Sequence, residues 1–148
     1  MNESISILEL MIKDHRKIEE LIGDLEEKTK ENFDSMKKSF NKFEWELEKH
    51  IFTEEKAIFT SYNPEDVTEG YKMLPELTKQ HNYIINTLNN CREDIRKRRK
   101  IRDVYSFKEF IIKHKSYEEE KVYPKLDESL PEDEKRRTVA KINEIVQK

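Results

Sequence analysis

Apolar residues recur along this chain at steps of three and four, the period of a helix with one buried face. Ile5, Leu8, Ile12, His15, Ile18, Ile22 and Leu25 form a first stripe. It predicts a helix from about Ser4 to Thr29, within which Gly23 is tolerated at a cost of up to about 1 kcal/mol. Met36, Phe40, Phe43, Leu47, His50, Glu54 and Ala57 form a second, capped by Asn32 or Asp34 and reaching Thr60. The run Ser61-Tyr-Asn-Pro-Glu-Asp and Gly70 predict a loop of about ten residues. A third stripe, Leu77, His81, Ile84, Leu88, Cys91 and Ile95, belongs to a helix starting between Tyr71 and Pro75 and ending near Arg98. A fourth, Val104, Phe107, Ile111, His114, Glu118 and Val122, runs from about Asp103 to Tyr123 and is expected to stop at Pro124. A short fifth helix, about Pro131 to Val146, has proline in the first turn, where it is tolerated. Four long helices with short links predict an all-α, up-down-up-down four-helix bundle with a short C-terminal fifth helix.

Every histidine lies on one of these otherwise apolar stripes. A lone histidine there is ordinarily a hydrogen-bonded core residue. Two of the four, however, carry a glutamate four residues on: His50-Ile-Phe-Thr-Glu54-Glu55 and His114-Lys-Ser-Tyr-Glu118-Glu119. That spacing puts imidazole and carboxylate on one helix face, one turn apart, where both can reach the same ion. In an up-down bundle His15 and His81 lie about ten residues inside the starts of their helices. His50 and His114 lie about ten residues before the ends of theirs. At about 1.5 Å per residue all four then fall at one level.

The chain also repeats itself. Lys13-Asp-His15-Arg-Lys-Ile18 resembles Lys79-Gln-His81-Asn-Tyr-Ile84, and the two His-x-x-x-Glu pairs lie sixty-four positions apart. Each half supplies one lone histidine and one His/Glu pair, an arrangement that suits two metal ions better than one. Buried imidazoles and carboxylates are costly unless something satisfies them. Six such side chains are too many for one tetrahedral zinc.

Length and composition bound the rest. A chain of 148 residues suggests a single domain, with a core bundle over about 5–125 and an extension over 126–148. The 41% of charged residues, two glycines and four prolines fit long helices with short connections. Acids and bases interleave to a net charge of −3, giving no global case for nucleic acid. No apolar run is long enough to span a membrane, the N-terminus lacks the regions of a signal peptide, and a single cysteine excludes an internal disulfide. The expectation is a cytoplasmic protein.

The pattern His15, His50-x-x-x-Glu54-Glu55, His81 and His114-x-x-x-Glu118-Glu119 resembles the hemerythrin-like, HHE cation-binding domain family over about residues 5–125. The resemblance implies a non-haem di-iron bundle of the Fe–O–Fe type, with manganese or zinc as alternatives. It implies His15, His50, His81 and His114 as terminal ligands and Glu54 and Glu118 as bridges. The small ligand it implies is O2, or nitric oxide, for storage, delivery or sensing rather than catalysis. Oxygen-carrying members have a further histidine on helix 3, where this chain has Ile85, or Leu77 on the other side of His81. Glu19, Tyr117 or Tyr83 are candidates to substitute. The missing histidine also fits nitric oxide or peroxide reduction, or iron donation and repair, and a metal-dependent protein partner is a third expectation.

Other features have plainer readings. Glu55 and Glu119 point about 100° away from the bridges, so they are expected to be solvated or to support the ligands rather than bind metal. Cys91 reads as a small buried apolar residue. The run Arg96-Lys-Arg-Arg-Lys-Ile-Arg102 reads as a solvated loop at a helix C-terminus. Phe40, Phe43, Trp45, Phe52 and Phe59 are expected in the core and around the pocket of His50.

Overall fold

A computed structural model describes residues 6–59 and 70–146, and the described residues are helical with no strand. Helix α1 spans Ile7–Lys28, α2 Phe33–Thr53, α3 Gly70–Arg96, α4 Val104–Tyr117, α5 Tyr123–Ser129 and α6 Glu132–Val146. A π-helical turn, Glu54–Ile58, continues α2, and another, Glu118–Val122, joins α4 to α5. None of these helices is long and apolar enough to cross a membrane. The predicted loop from Ser61 lies outside the described residues, as do Ser4 and Ile5.

Local chemistry explains the starts. Ser6 accepts a hydrogen bond from the Glu9 N–H at 3.0 Å, and Asn32 one from Ser35 at 2.8 Å, so Asn32 rather than Asp34 caps α2. Asp103 caps α4 from the left-handed region (φ 57°), which aspartate tolerates because its short side chain bonds locally, here to Ser106 N–H. The first two backbone N–H groups of α1 donate to Asp127 of α5 at 2.9 and 3.1 Å. The chain after Pro124 therefore holds down the helix that precedes all the others.

Pro124 does not end the fourth helix. Proline removes an N–H and its ring crowds the carbonyl four residues back. The π-turn just before it relieves that conflict, because the Tyr123 N–H reaches the Glu118 carbonyl, five residues back. Helical backbone then continues to Ser129.

The buried face of α1 is offset from the predicted stripe in its first turns. Ile7 and Met11 are fully buried, while Leu8 and Ile12 are only partly so. Leu8 and Leu10 pack around the apolar cluster that includes Ile142 of α6, which draws that side of the helix inward. The stripes of α2 and α4 are buried as predicted. Trp45 and Phe52 are not core residues: 60% of one and 50% of the other is exposed. Both fall on the outer side of a helix whose inner face is already filled by Phe40, Phe43, Leu47 and Ile51.

The core is divided in two. One apolar cluster includes Ile18, Ile22, Phe40, Phe43, Leu47, Ile84, Leu88, Phe107 and Ile111. The other includes Ile7, Met11, Ala57, Ile58, Leu77, Val122, Tyr123 and Leu126. Along each of the four long helices the polar site residues fall between members of these two clusters. The basic run after α3 is tied down: Arg99 and Arg102 pair with Asp94 at 2.9 and 3.5 Å, and Lys100 binds the carbonyls of Thr29 and Glu31. Arg98 lies over the Phe33 ring, 4.6 Å from its centroid.

Candidate metal centre

Each of the four histidines turns Nε2 inward and Nδ1 outward. His15 and His50 bring their Nε2 atoms within 3.2 Å of each other. The rings of His81 and His114 lie 5.2 Å apart, making a second pair. Glu54 Oε1 stands 2.9 Å from His50 Nε2 and 3.1 Å from His81 Nε2. Glu118 Oε1 stands 3.1 Å from His15 Nε2 and 3.2 Å from His114 Nε2. Each carboxylate thus reaches a histidine of both pairs. All six residues are buried, the glutamates completely. Donor atoms of His50, Glu54, His114 and Glu118 all lie within 4.8 Å of one another.

Outside this ring stands a set of acceptors that orients it. His50 Nδ1 donates to Asp14 at 2.5 Å, His15 Nδ1 to Glu119 at 2.7 Å, His114 Nδ1 to the Gln80 amide oxygen at 2.6 Å, and His81 Nδ1 to Glu55 at 3.4 Å. Ligating histidines ordinarily carry such a partner, which fixes the ring and directs the other nitrogen. Glu119 and Glu55 thus face the outer nitrogens of His15 and His81, Glu55 from a half-exposed position. Asp14 and Gln80 were not singled out from the sequence. They immediately precede His15 and His81, and each serves the histidine of the following helix, so the repeat itself carried the signal.

The electrostatics show what the ring lacks. Burial alone would raise the Glu54 and Glu118 carboxyls, and Glu54 raises Glu118 further. His50 nevertheless holds Glu54 well below its ordinary range, and His114 holds Glu118 at about 2. Burial alone would lower the histidines, but Glu54 drives His50 well up and Glu118 lifts His114 to about 9. The cluster therefore calls for positive charge at its centre. With Nδ1–H of His15 and His50 committed outward, two neutral rings would set bare Nε2 lone pairs against each other and against carboxylate oxygens. His114 Nε2 and Glu118 Oε2 are, besides, buried without a hydrogen-bond partner. Only protons or metal cations resolve this, and the mixed imidazole and carboxylate donors fit first-row divalent or trivalent ions.

Of the candidates for an additional ligand, Glu19 pairs with Lys115, Tyr83 packs on Phe110 at the surface and Tyr117 packs beside the second apolar cluster. Ile85 is 38% exposed and Leu77 is fully buried in that same cluster. Tyr123, not anticipated from the sequence, enters the ring instead. Its hydroxyl lies 2.8 Å from Glu54 Oε2 and 3.0 Å from Glu118 Oε1. Cys91 is buried, and burial pushes its thiol up to about 12.

The chain matches the family model of the hemerythrin HHE cation binding domain over residues 6–141. No curated protein and no solved structure matches it.

Proposed function

The chain belongs to the hemerythrin HHE cation-binding domain family, and from that premise we propose that its buried His/Glu ring holds two iron ions and serves to bind a small diatomic ligand, O2 first. The observation that carries this is the pairing within the ring: two histidine pairs, each carboxylate reaching one histidine of either pair. His15 and His50 would hold one ion and His81 and His114 the other, with Glu54 and Glu118 shared between them. The chain is one domain, its four long helices run up and down in turn, and it works in the cytoplasm.

Bound iron would supply the redox change and the open coordination position that side chains lack. The chain does the rest. Asp14, Glu55, Gln80 and Glu119 hold the imidazoles in the tautomer that offers Nε2. The apolar clusters on either side of the ring exclude water and restrict the site to small ligands. A second use, turnover of nitric oxide or peroxide or donation of iron, is favoured by the absence of a fifth histidine and by the Tyr123 hydroxyl in the ring.

Anaerobic iron loading of the purified chain, with metal counting and absorption spectra before and after air, separates the two. Two irons per chain and an oxygen-dependent band that disappears on deoxygenation are expected. Immediate oxidation with no recoverable adduct would move the assignment to the redox or iron-handling use.

A further inference from the structure

One member of the ring breaks its internal symmetry. The sixty-four-residue offset that relates His50 to His114, Glu54 to Glu118 and Glu55 to Glu119 also relates Phe59 to Tyr123. The two aromatic rings take matching places beside the lone histidines. Phe59 stacks on His81 with centroids 5.1 Å apart, and Tyr123 lies 5.8 Å from His15 at 33°. Only one of them carries an oxygen, and that oxygen points into the ring.

The position of that oxygen is difficult to explain by hydrogen bonding alone. It lies 2.8 Å from Glu54 Oε2, 3.0 Å from Glu118 Oε1 and 3.4 Å from His15 Nε2, and Tyr123 is fully buried. A phenol has one proton, so it can donate to one of these three atoms. Toward the others it presents lone pairs, against a carboxylate oxygen or the inward nitrogen of a histidine whose Nδ1–H is used by Glu119. Donor atoms that share one ion at about 2.0–2.1 Å stand roughly 3 Å apart when they subtend a right angle. The phenolic oxygen stands 2.8–3.4 Å from the other three atoms, and His15 Nε2 stands 3.1 Å from Glu118 Oε1, close to that spacing.

We propose that Tyr123 is itself a ligand of the centre, its phenolic oxygen joining His15 and His50 on one side of the cluster. The proposal rests on the two-ion assignment above and adds to it that the two sides differ. On loading with ferric ion the Tyr123 O–H bond breaks, an oxygen–metal bond forms and the proton leaves to solvent, with no change of oxidation state. A trivalent cation within reach of the oxygen favours the phenolate over the phenol. The His81 and His114 side, where Phe59 offers no donor, is then the side left with room for a small ligand.

The test is resonance Raman and visible absorption of the whole chain loaded with ferric ion, with iron counted in the same samples. Wild type is expected to bind two irons and to show a phenolate-to-iron charge-transfer band with phenolate ring modes. Tyr123→Phe should reduce that band at least tenfold, while Tyr117→Phe and Tyr83→Phe keep it. Two bound irons without phenolate modes in wild type, or modes that survive Tyr123→Phe, overturn the proposal and leave the two-ion centre standing. A wild-type chain that binds no iron overturns the two-ion centre and this proposal with it. Should Tyr123→Phe fail to fold, wild-type modes retained in both other variants still support Tyr123, and loss of the modes in either one contradicts it.

Discussion

His114 and Glu118, one helical turn apart, bound a window of pH in which the protonated ring holds itself together. Glu118 lifts His114 from an ordinary 6.5 to about 9, against the effect of burial. A group raised in this way stabilises the folded chain fully below 6.5, and the contribution is lost as pH rises through 9. Burial and the repulsion of Glu54 push Glu118 up, yet it lies at about 2 instead of 4.5, with His114 foremost among the groups that bring it down. Its contribution is present above 4.5 and lost as pH falls through 2. With chelator present, thermal melts should therefore show a falling midpoint from pH 6.5 to 9, and a rising midpoint over that range would contradict the pairing. At this scale the helical period was enough to single out His15, His50, Glu54, His81, His114 and Glu118, which the fold buries together. Asp14, Gln80 and Tyr123 escaped notice because their roles depend on what faces them across the helix interface, which periodicity does not encode.

Helices were legible wherever one face alternates cleanly, as in α2 and α4. The π-turns were not. A five-residue turn closed by bonds to the fifth residue back leaves the apolar steps of Glu54, Ala57 and of Glu118, Val122 looking like ordinary helix. Both begin at the glutamate of a His-x-x-x-Glu pair, and such turns often occur at functional positions. The second also explains why Pro124, a sound stop signal by itself, sits inside continuous helix. A simpler element-level prediction concerns Gly23, in the middle of α1, where an added Cβ would meet nothing within 4 Å. Gly23→Ala should stabilise the chain by about 0.4–1 kcal/mol in denaturant unfolding, chiefly by reducing the freedom of the unfolded chain. A loss of stability would show that the helix face there is not open.

Across the whole molecule, two apolar clusters enclose one polar layer, and the helices gain their burial from the clusters while the layer supplies the chemistry. The layer was foreseeable, since every histidine lies on a stripe that faces the core and all four are buried together. The docking of α6 through Ile142, and the capping of α1 by Asp127, were not, because both join elements far apart in the chain without any shared period. In the function proposed above, this layer holds two ions that Glu54 and Glu118 share. Iron stoichiometry after anaerobic loading and desalting checks this for wild type, Glu54→Ala and Glu118→Ala, each first shown to be helical and folded. Two irons per wild-type chain are expected, with loss of two-iron binding in both variants. Two irons retained in both variants, or none in wild type, would contradict it.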